Sequence, residues 1–146
     1  MKRIGLISDT HGTVHPRVSD FFKDCDEIWH AGDIGNIETA DEIAKIKPLK
    51  AVYGNIDGTA LRVSIPEVQH FKCEDVHVLM IHIGGYPGRY SPKARYLIEK
   101  YRPKIFISGH SHILKVMPDK KYRSALYRPG VHIKAPAKPH VQGGMM

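Results

Sequence analysis

The sequence predicts a single domain of the α/β class, built on a layered sheet with helices against it. Short apolar runs alternate with amphipathic segments over residues 4–53, in the order β-α-β-α-β. The connections between these segments are short, as they are in layered α/β folds. A chain of 146 residues is long enough to bury one core without disulfide bonds.

Predicted strands and helices alternate in the first third of the chain. Strands are expected over 4–7, 27–31 and 49–53, and helices over 16–23 and 37–46. Pro16 suits the first turn of the first helix, and apolar residues follow it at helical spacing. Pro48 forbids continuation of the second helix.

The remainder of the chain predicts two hairpins, a loop, a helix and a further strand. Hairpin arms are expected over 68–72 and 76–81, and again over 113–117 and 122–127. Residues 84–88 are a loop by composition. A helix is expected over 92–101 because its apolar residues recur with helical period, and a strand over 105–107.

Five short polar motifs stand where apolar runs stop. They are Asp9-Thr10-His11, Gly32-Asp33, Gly54-Asn55, His82 and Gly109-His110-Ser111-His112. In layered α/β sheets the carboxyl ends of strands meet at one rim, so these motifs should come together. Each motif alone would be a turn, a helix cap or an ordinary strand-end histidine. Their joint occurrence, in this order, predicts a site for two divalent metal ions.

Oxygen and imidazole donors without a thiolate suit Mn, Fe, Ni, Zn or Mg, and two such ions can activate a water for phosphate ester hydrolysis. Asp33 is predicted to bridge the ions, because each oxygen of a carboxylate can hold one. The first ion would take Asp9, His11, Asp33 and His112. The second would take Asp33, Asn55, His82 and His110. Asp33, Asn55 and His82 are the predicted catalytic residues.

The five motifs together resemble the calcineurin-like metallophosphoesterase superfamily. More narrowly, residues 4–10, 27–33 and 52–57 are similar to small bacterial and archaeal phosphodiesterases of the YfcE type. The resemblance extends from Met1 to about Met117. It implies a layered β-sandwich flanked by helices, the same metal ligands with manganese as the expected ion, and hydrolysis of a small or nucleotide-like phosphodiester by a metal-bridging hydroxide.

The sequence departs from this superfamily at two places. Ile56 stands where many members have a histidine near the leaving group, and general acid help is typically worth about 10²–10⁴-fold, so activated or diester substrates should be preferred. Arg128-Pro129-Gly130 stands where the family has an Asn-Pro-Gly turn before its last strands. Nothing strand-like follows, and the chain looks truncated or altered beyond about Lys121.

These observations predict a metallophosphoesterase domain over 1–127 and a disordered basic tail over 128–146. The last strands are expected to be missing, which would leave an unpaired sheet edge and favour oligomers. Six of the seven net positive charges fall after residue 114, which argues against nucleic acid as the partner of the main domain. Two isolated cysteines and the lack of a membrane span or signal peptide predict a cytoplasmic protein.

Two rival functions remain open from the sequence. One is a non-catalytic protein-binding scaffold like the retromer subunit of this fold, and the other is an inactive truncated product. The complete set of predicted ligands favours the enzyme.

Several residues outside the motifs have a structural interpretation beside a functional one. Asp57 is interpreted either as an orienting residue or as a turn residue. Tyr86 and Arg89 could contact a substrate phosphate, but exposure to solvent is the favoured interpretation. The histidines outside the motifs are interpreted as surface or packing residues: His15, His30, His70, His77, His132 and His140.

Overall fold

The computed structural model describes residues 2–129 and the backbone of 132–136. The strands are β1 (Arg3–Ile7), β2 (Glu27–His30), β3 (Leu49–Ala51), β4 (Val68–Cys73), β5 (Val76–Ile81), β6 (Gly85–Tyr86), β7 (Arg89–Tyr90), β8 (Ile105–Ile107), β9 (Leu114–Asp119), β10 (Ser124–Pro129) and β11 (His132–Pro136). The helices are α1 (Val18–Phe21), α2 (Ile37–Ile46), α3 (Thr59–Ser64) and α4 (Pro92–Tyr101).

The strands form two main sheets, which confirms the predicted layered α/β class. The first sheet has the order β11-β1-β2-β3, and β1, β2 and β3 run parallel. The second sheet has the order β4-β5-β8-β10-β9, and β5, β8 and β10 run parallel. Both predicted hairpins are confirmed as the antiparallel pairs β4–β5 and β9–β10. The predicted loop over 84–88 contributes to the small pair β6–β7.

The two sheets pack face to face around one apolar core. Leu6 and Trp29 of the first sheet meet Met80 and Ile107 of the second sheet there. Because side chains alternate along a strand, Ile7 points to the opposite face of the first sheet and packs under the first two helices. The apolar side of α4 covers the outer face of the second sheet. The result is a β-sandwich flanked by helices.

Two helices have the predicted bounds, and their caps explain why. The Asn36 side chain accepts a hydrogen bond from the backbone N–H of Thr39 at the start of α2. Ser91 accepts in the same way from Ala94 at the start of α4. Helix α1 is shorter than predicted, and α3 was not predicted because Leu61 is its only buried residue and leaves no apolar stripe to detect.

The expectation that the last strands are missing is wrong. Strand β10 passes the predicted domain boundary at residue 127, and β11 pairs antiparallel with β1 from Arg3↔Pro136 to Ile7↔His132. Strand β11 lies at the edge of the first sheet, where one side of the backbone makes no ladder bonds. An edge tolerates proline and a polar composition, and these features concealed the strand in the sequence. The rest of the predicted tail, 137–146, lies outside the described residues.

The described part of the chain contains no helix that combines the length and the apolar character needed to cross a membrane.

The start of β2 is held by a buried carboxylate. Glu27 accepts hydrogen bonds from Lys2 Nζ at 2.6 Å, Trp29 Nε1 at 3.0 Å and Lys50 Nζ at 3.3 Å. Burial alone would raise the pKa of Glu27, but the hydrogen bonds from Lys2 and Trp29 and the charge of Lys50 outweigh it and lower the pKa to about 2. The ionised Glu27 therefore stabilises the folded chain.

This arrangement predicts a pH-dependent cost of Glu27→Gln. Above pH 4.5 the variant should lose about 1–2 kcal/mol of unfolding free energy, because only the native carboxylate is stabilised in the folded state. The difference from the wild type should shrink as the pH falls from 4.5 towards 2. Urea unfolding at several pH values measures it. Asp24→Asn, which removes the exposed pair with Arg3, is the matched control and should cost little. A Glu27→Gln difference that does not vary with pH would contradict this account.

Candidate metal centre

The five polar motifs lie at the carboxyl ends of β1, β2, β3, β5 and β8, on one rim of the sandwich. Backbone hydrogen bonds join the loops within each sheet, from Asp9 N to Gly32 O and from Gly109 N to His82 O, both at 2.9 Å. A further bond joins the two sheets, because His110 N donates to Asp9 Oδ2 at 3.1 Å. The loops therefore form one connected surface.

Six of the predicted ligands form two adjoining clusters. In each cluster the three ligand atoms lie within 4.8 Å of one another; the first contains Asp9, His11 and His112, and the second contains Asp33, His82 and His110. Asp33 Oδ2 lies 3.6 Å from His11 Nε2 and 3.1 Å from His82 Nε2. The Asp33 carboxylate thus faces both clusters.

The seventh predicted ligand, Asn55, lies beside the second cluster. Its Oδ1 is 3.1 Å from His110 Nδ1. The structure therefore brings all seven predicted site residues to the same rim.

Two buried polar atoms of the predicted ligands lack a hydrogen-bond partner within the described chain. They are Asp9 Oδ1 and His82 Nε2, which lie 3.8 Å apart. His82 Nδ1 donates to the carbonyl oxygen of Ala31 at 2.7 Å, so in the neutral ring Nε2 carries a lone pair towards the carboxylates. Leaving such atoms unpaired in the interior is costly, and a divalent cation would satisfy both. The donor set fits divalent metal ions.

The backbone of this rim is held in an uncommon conformation. Five of the seven predicted ligands are non-glycine residues with φ between 52° and 77°: Asp9, His11, Asp33, His110 and His112. Non-glycine residues seldom adopt this left-handed region, and such residues cluster at functional sites. The surrounding hydrogen bonds hold the loops in this shape.

Comparison with known proteins agrees with this geometry. The family model of the calcineurin-like phosphoesterase superfamily domain matches residues 1–141. The chain belongs to this superfamily. A probable metallophosphoesterase of Methanothermobacter thermautotrophicus is 33% identical over 114 residues, and one of Methanocaldococcus jannaschii is 31% identical over 115. These matches cover 75% of this chain, but the chain spans only 66% and 58% of the relatives' own lengths.

Solved structures share the fold at lower identity. A Thermotoga maritima protein covers 100% of both chains with a TM-score of 0.72 and 20% identity. Vps29 of Entamoeba histolytica covers 88% of this chain and 74% of its own, with a TM-score of 0.71 and 17% identity. A structure described as a novel archaeal phosphodiesterase covers 88% of this chain and 84% of its own, with a TM-score of 0.68 and 19% identity.

Two glycines of this phosphoesterase-family rim make room for site residues. Gly32 has φ +102°, and a Cβ there would stand 2.6 Å from the His82 ring. A Cβ on Gly54 would overlap the Asp33 carboxylate and the Asp33 backbone nitrogen. These two positions therefore exclude any side chain.

Asp57 connects the loops that carry Asp33 and Asn55. Its buried carboxylate accepts hydrogen bonds from the backbone N–H groups of Ile34 at 3.1 Å, Gly35 at 2.8 Å and Gly54 at 2.8 Å. Both sequence interpretations apply to it, because its own N–H also closes a turn onto Gly54 O at 3.1 Å. Asp57 is a positioning residue.

His30 also positions the rim, so its interpretation as a plain surface or packing residue is incomplete. Its Nδ1 accepts from Gly32 N, and its Nε2 lies 3.0 Å from Thr10 Oγ1, which donates to Ile34 O. Burial lowers the pKa of His30 to about 3, so the ring is neutral, as the accepting Nδ1 requires. The available signal was its place three residues before Asp33 on the same strand.

The other described histidines outside the motifs belong to neither cluster, although His15 lines a recess that Asp9 also borders. His15 is exposed, and His70 stacks on Tyr101 with ring centroids 4.0 Å apart and on His77 at 5.8 Å. His132 and His140 lie outside the described side chains.

The close contact at Gly54 predicts that Gly54→Ala weakens metal binding. The added methyl group must displace Asp33, and disturbing the support of a ligand typically costs about 10–100-fold in metal affinity. Isothermal titration of the purified protein with Mn²⁺ measures this loss. Gly58→Ala is the matched control, because a Cβ at Gly58 meets nothing within 4 Å, and it should bind like the wild type. Equal Mn²⁺ affinity of the two variants would contradict the geometry.

Proposed function

We propose that this chain is a metal-dependent phosphodiesterase that hydrolyses a small or nucleotide-like phosphodiester. The observation that carries the proposal is the Asp33 carboxylate, which faces two clusters of ligand atoms at 3.6 Å and 3.1 Å from their histidines. Membership of the superfamily supports phosphoester hydrolysis as the reaction class. The archaeal phosphodiesterase of the same fold supports the diester.

The proposed ligand sets follow the two clusters. Asp9, His11, Asp33 and His112 would hold one divalent ion, and Asp33, Asn55, His82 and His110 the other. Bound ions would stabilise negative charge on the phosphate oxygens and lower the pKa of a water. We propose manganese, although nickel, iron, zinc and magnesium also suit these donors.

Three residues are proposed to act at the reacting groups. Asp33 is buried and accepts from Ile56 N at 3.1 Å, so its carboxylate is fixed before substrate arrives. The bond from His82 Nδ1 to Ala31 O holds that ring so that Nε2 points into the centre. Asn55 is exposed beside His110, where its amide can meet a substrate oxygen.

A cavity beside this centre supports the proposal that the substrate phosphate carries an organic group. It has a volume of about 490 Å³ and is bordered by Asn55 and His82. Its apolar wall is formed by Tyr53, Ile81, Ile83 and Pro92. Such a wall suits an organic substituent on the phosphate, which a diester always has on its non-leaving side.

The residue at position 56 supports substrates with good leaving groups. Ile56 is 47% exposed next to Asp33 and offers no proton to a departing oxygen. Without general acid help, alkoxide departure from a monoester is slow, whereas an activated ester needs that help least. A preference for activated or diester substrates follows.

The rival scaffold function is supported by fold likeness to Vps29 and by exposed apolar residues on and before β9, namely Ile113, Leu114 and Val116. A scaffold does not require buried potential ligand atoms without hydrogen-bond partners, such as Asp9 Oδ1 and His82 Nε2. The third hypothesis, an inactive truncated product, presupposed that no strand follows the last hairpin, and β11 argues against that premise.

The test is hydrolysis of bis-p-nitrophenyl phosphate by the purified full chain, with and without Mn²⁺. We expect Mn²⁺-dependent release of nitrophenol, and a loss of at least about a hundredfold in Asp33→Ala, because that carboxylate serves both clusters. Asp41→Ala, an exposed aspartate on α2, is the matched control and should keep full activity. Well-folded wild-type protein without metal-dependent activity would overturn the enzyme in favour of the scaffold.

A further inference from the structure

A second cavity borders the same centre on the side of His110. It has a volume of about 260 Å³, and its lining includes His110, Ser111, Arg89 and Arg128. Ile83 and Ser91 line both this cavity and the one described above. A group bound at the metal centre can therefore extend into either cavity.

Arg128 is a buried cation that lines this second cavity. It stands on β10, is 7% exposed, and donates from Nε to the carbonyl oxygen of Ile113 at 2.9 Å. Across the described residues, no carboxylate lies within 4.0 Å of its guanidinium. Arginine stays protonated in proteins, and burying its charge without an anion is unfavourable.

The rest of the cavity adds positive charge and no negative charge. Arg89 is exposed at its edge, and Lys115 Nζ lies 4.4 Å from the centroid of the Tyr86 ring, which also lines the cavity. No aspartate or glutamate belongs to its described lining. The cavity is thus an electropositive recess that begins at a proposed metal ligand.

We infer that this recess, lined by Arg89 and Arg128, binds a second phosphate group of the substrate, separate from the phosphate that is cleaved. This inference rests on the proposed phosphodiesterase function and narrows its substrate class. The substrate is a nucleotide-like phosphodiester that also carries a terminal phosphate monoester. A guanidinium suits this group because it donates two parallel hydrogen bonds to phosphate oxygens.

The fixed Nε of Arg128 supports this assignment. Its bond to Ile113 O orients the guanidinium and leaves the two Nη groups for a ligand. A second negative charge placed there would offset the cost of the buried cation. A substrate without that phosphate would leave Arg128 unpaired in the complex.

The test compares two chromogenic substrates that differ by one phosphate: thymidine 5′-(p-nitrophenyl phosphate) with and without a 3′-phosphate. In the Mn²⁺-loaded wild type, the 3′-phosphate should raise kcat/KM at least about tenfold, mainly through KM, as one charge-assisted contact allows. In Arg128→Gln this ratio should fall close to one. Arg95→Gln, an exposed arginine on α4, is the matched control and should keep the ratio. Arg89→Gln should reduce the ratio in part. This variant replaces Arg128→Gln as the test if Arg128→Gln does not fold.

A binding measurement separates failure of this inference from failure of the proposed function. Isothermal titration in the presence of Mn²⁺ compares thymidine 3′,5′-bisphosphate with thymidine 5′-phosphate. Suppose that Arg128 is needed for tighter binding of the bisphosphate, but neither nitrophenyl substrate is hydrolysed. This result would overturn the proposed enzyme activity and support the phosphate subsite. Hydrolysis with no effect of the 3′-phosphate on kcat/KM or on binding would overturn the subsite and keep the enzyme.

Discussion

The rim depends on holding two buried carboxylates close to each other. Asp9 and Asp33 both approach His82 Nε2, at 3.8 Å and 3.1 Å, and both are almost fully buried. Two negative charges held close together with little access to water repel each other and lose hydration. A divalent cation would offset both the repulsion and the lost hydration, because it attracts the two carboxylates and takes the place of the water around them. The neighbouring histidines would complete the coordination of such an ion.

The supporting hydrogen bonds explain how a folded chain tolerates such a site. Asp57 ties the loop after β2 to the loop after β3, and His30 ties the loop after β1 to the loop after β2. These bonds use backbone N–H groups and a neutral ring, so they add little charge to the centre. The fold itself therefore places the predicted ligands, as a preorganised metal site requires.

The sequence predicted most of the fold and the grouping of the seven candidate site residues, for physical reasons that also explain its failures. Helices α2 and α4 were found because caps and apolar stripes are local features. The seven predicted site residues lie together on one rim because each follows an apolar run at a strand end. Strand β11 was missed because pairing with β1 is a long-range interaction and its composition suits an edge. The recess at Arg128 depends on neighbours far apart in the chain, which no local pattern reveals. For His30 the sequence offered only its place three residues before Asp33, and its bond to Thr10 is long-range.

The central claim is that this rim holds two ions around Asp33. Anomalous diffraction at the manganese absorption edge, from crystals grown with Mn²⁺, tests it most directly. We expect two peaks that share Asp33, one beside Asp9, His11 and His112 and the other beside Asn55, His82 and His110. A single peak, or manganese bound away from Asp33, would contradict it.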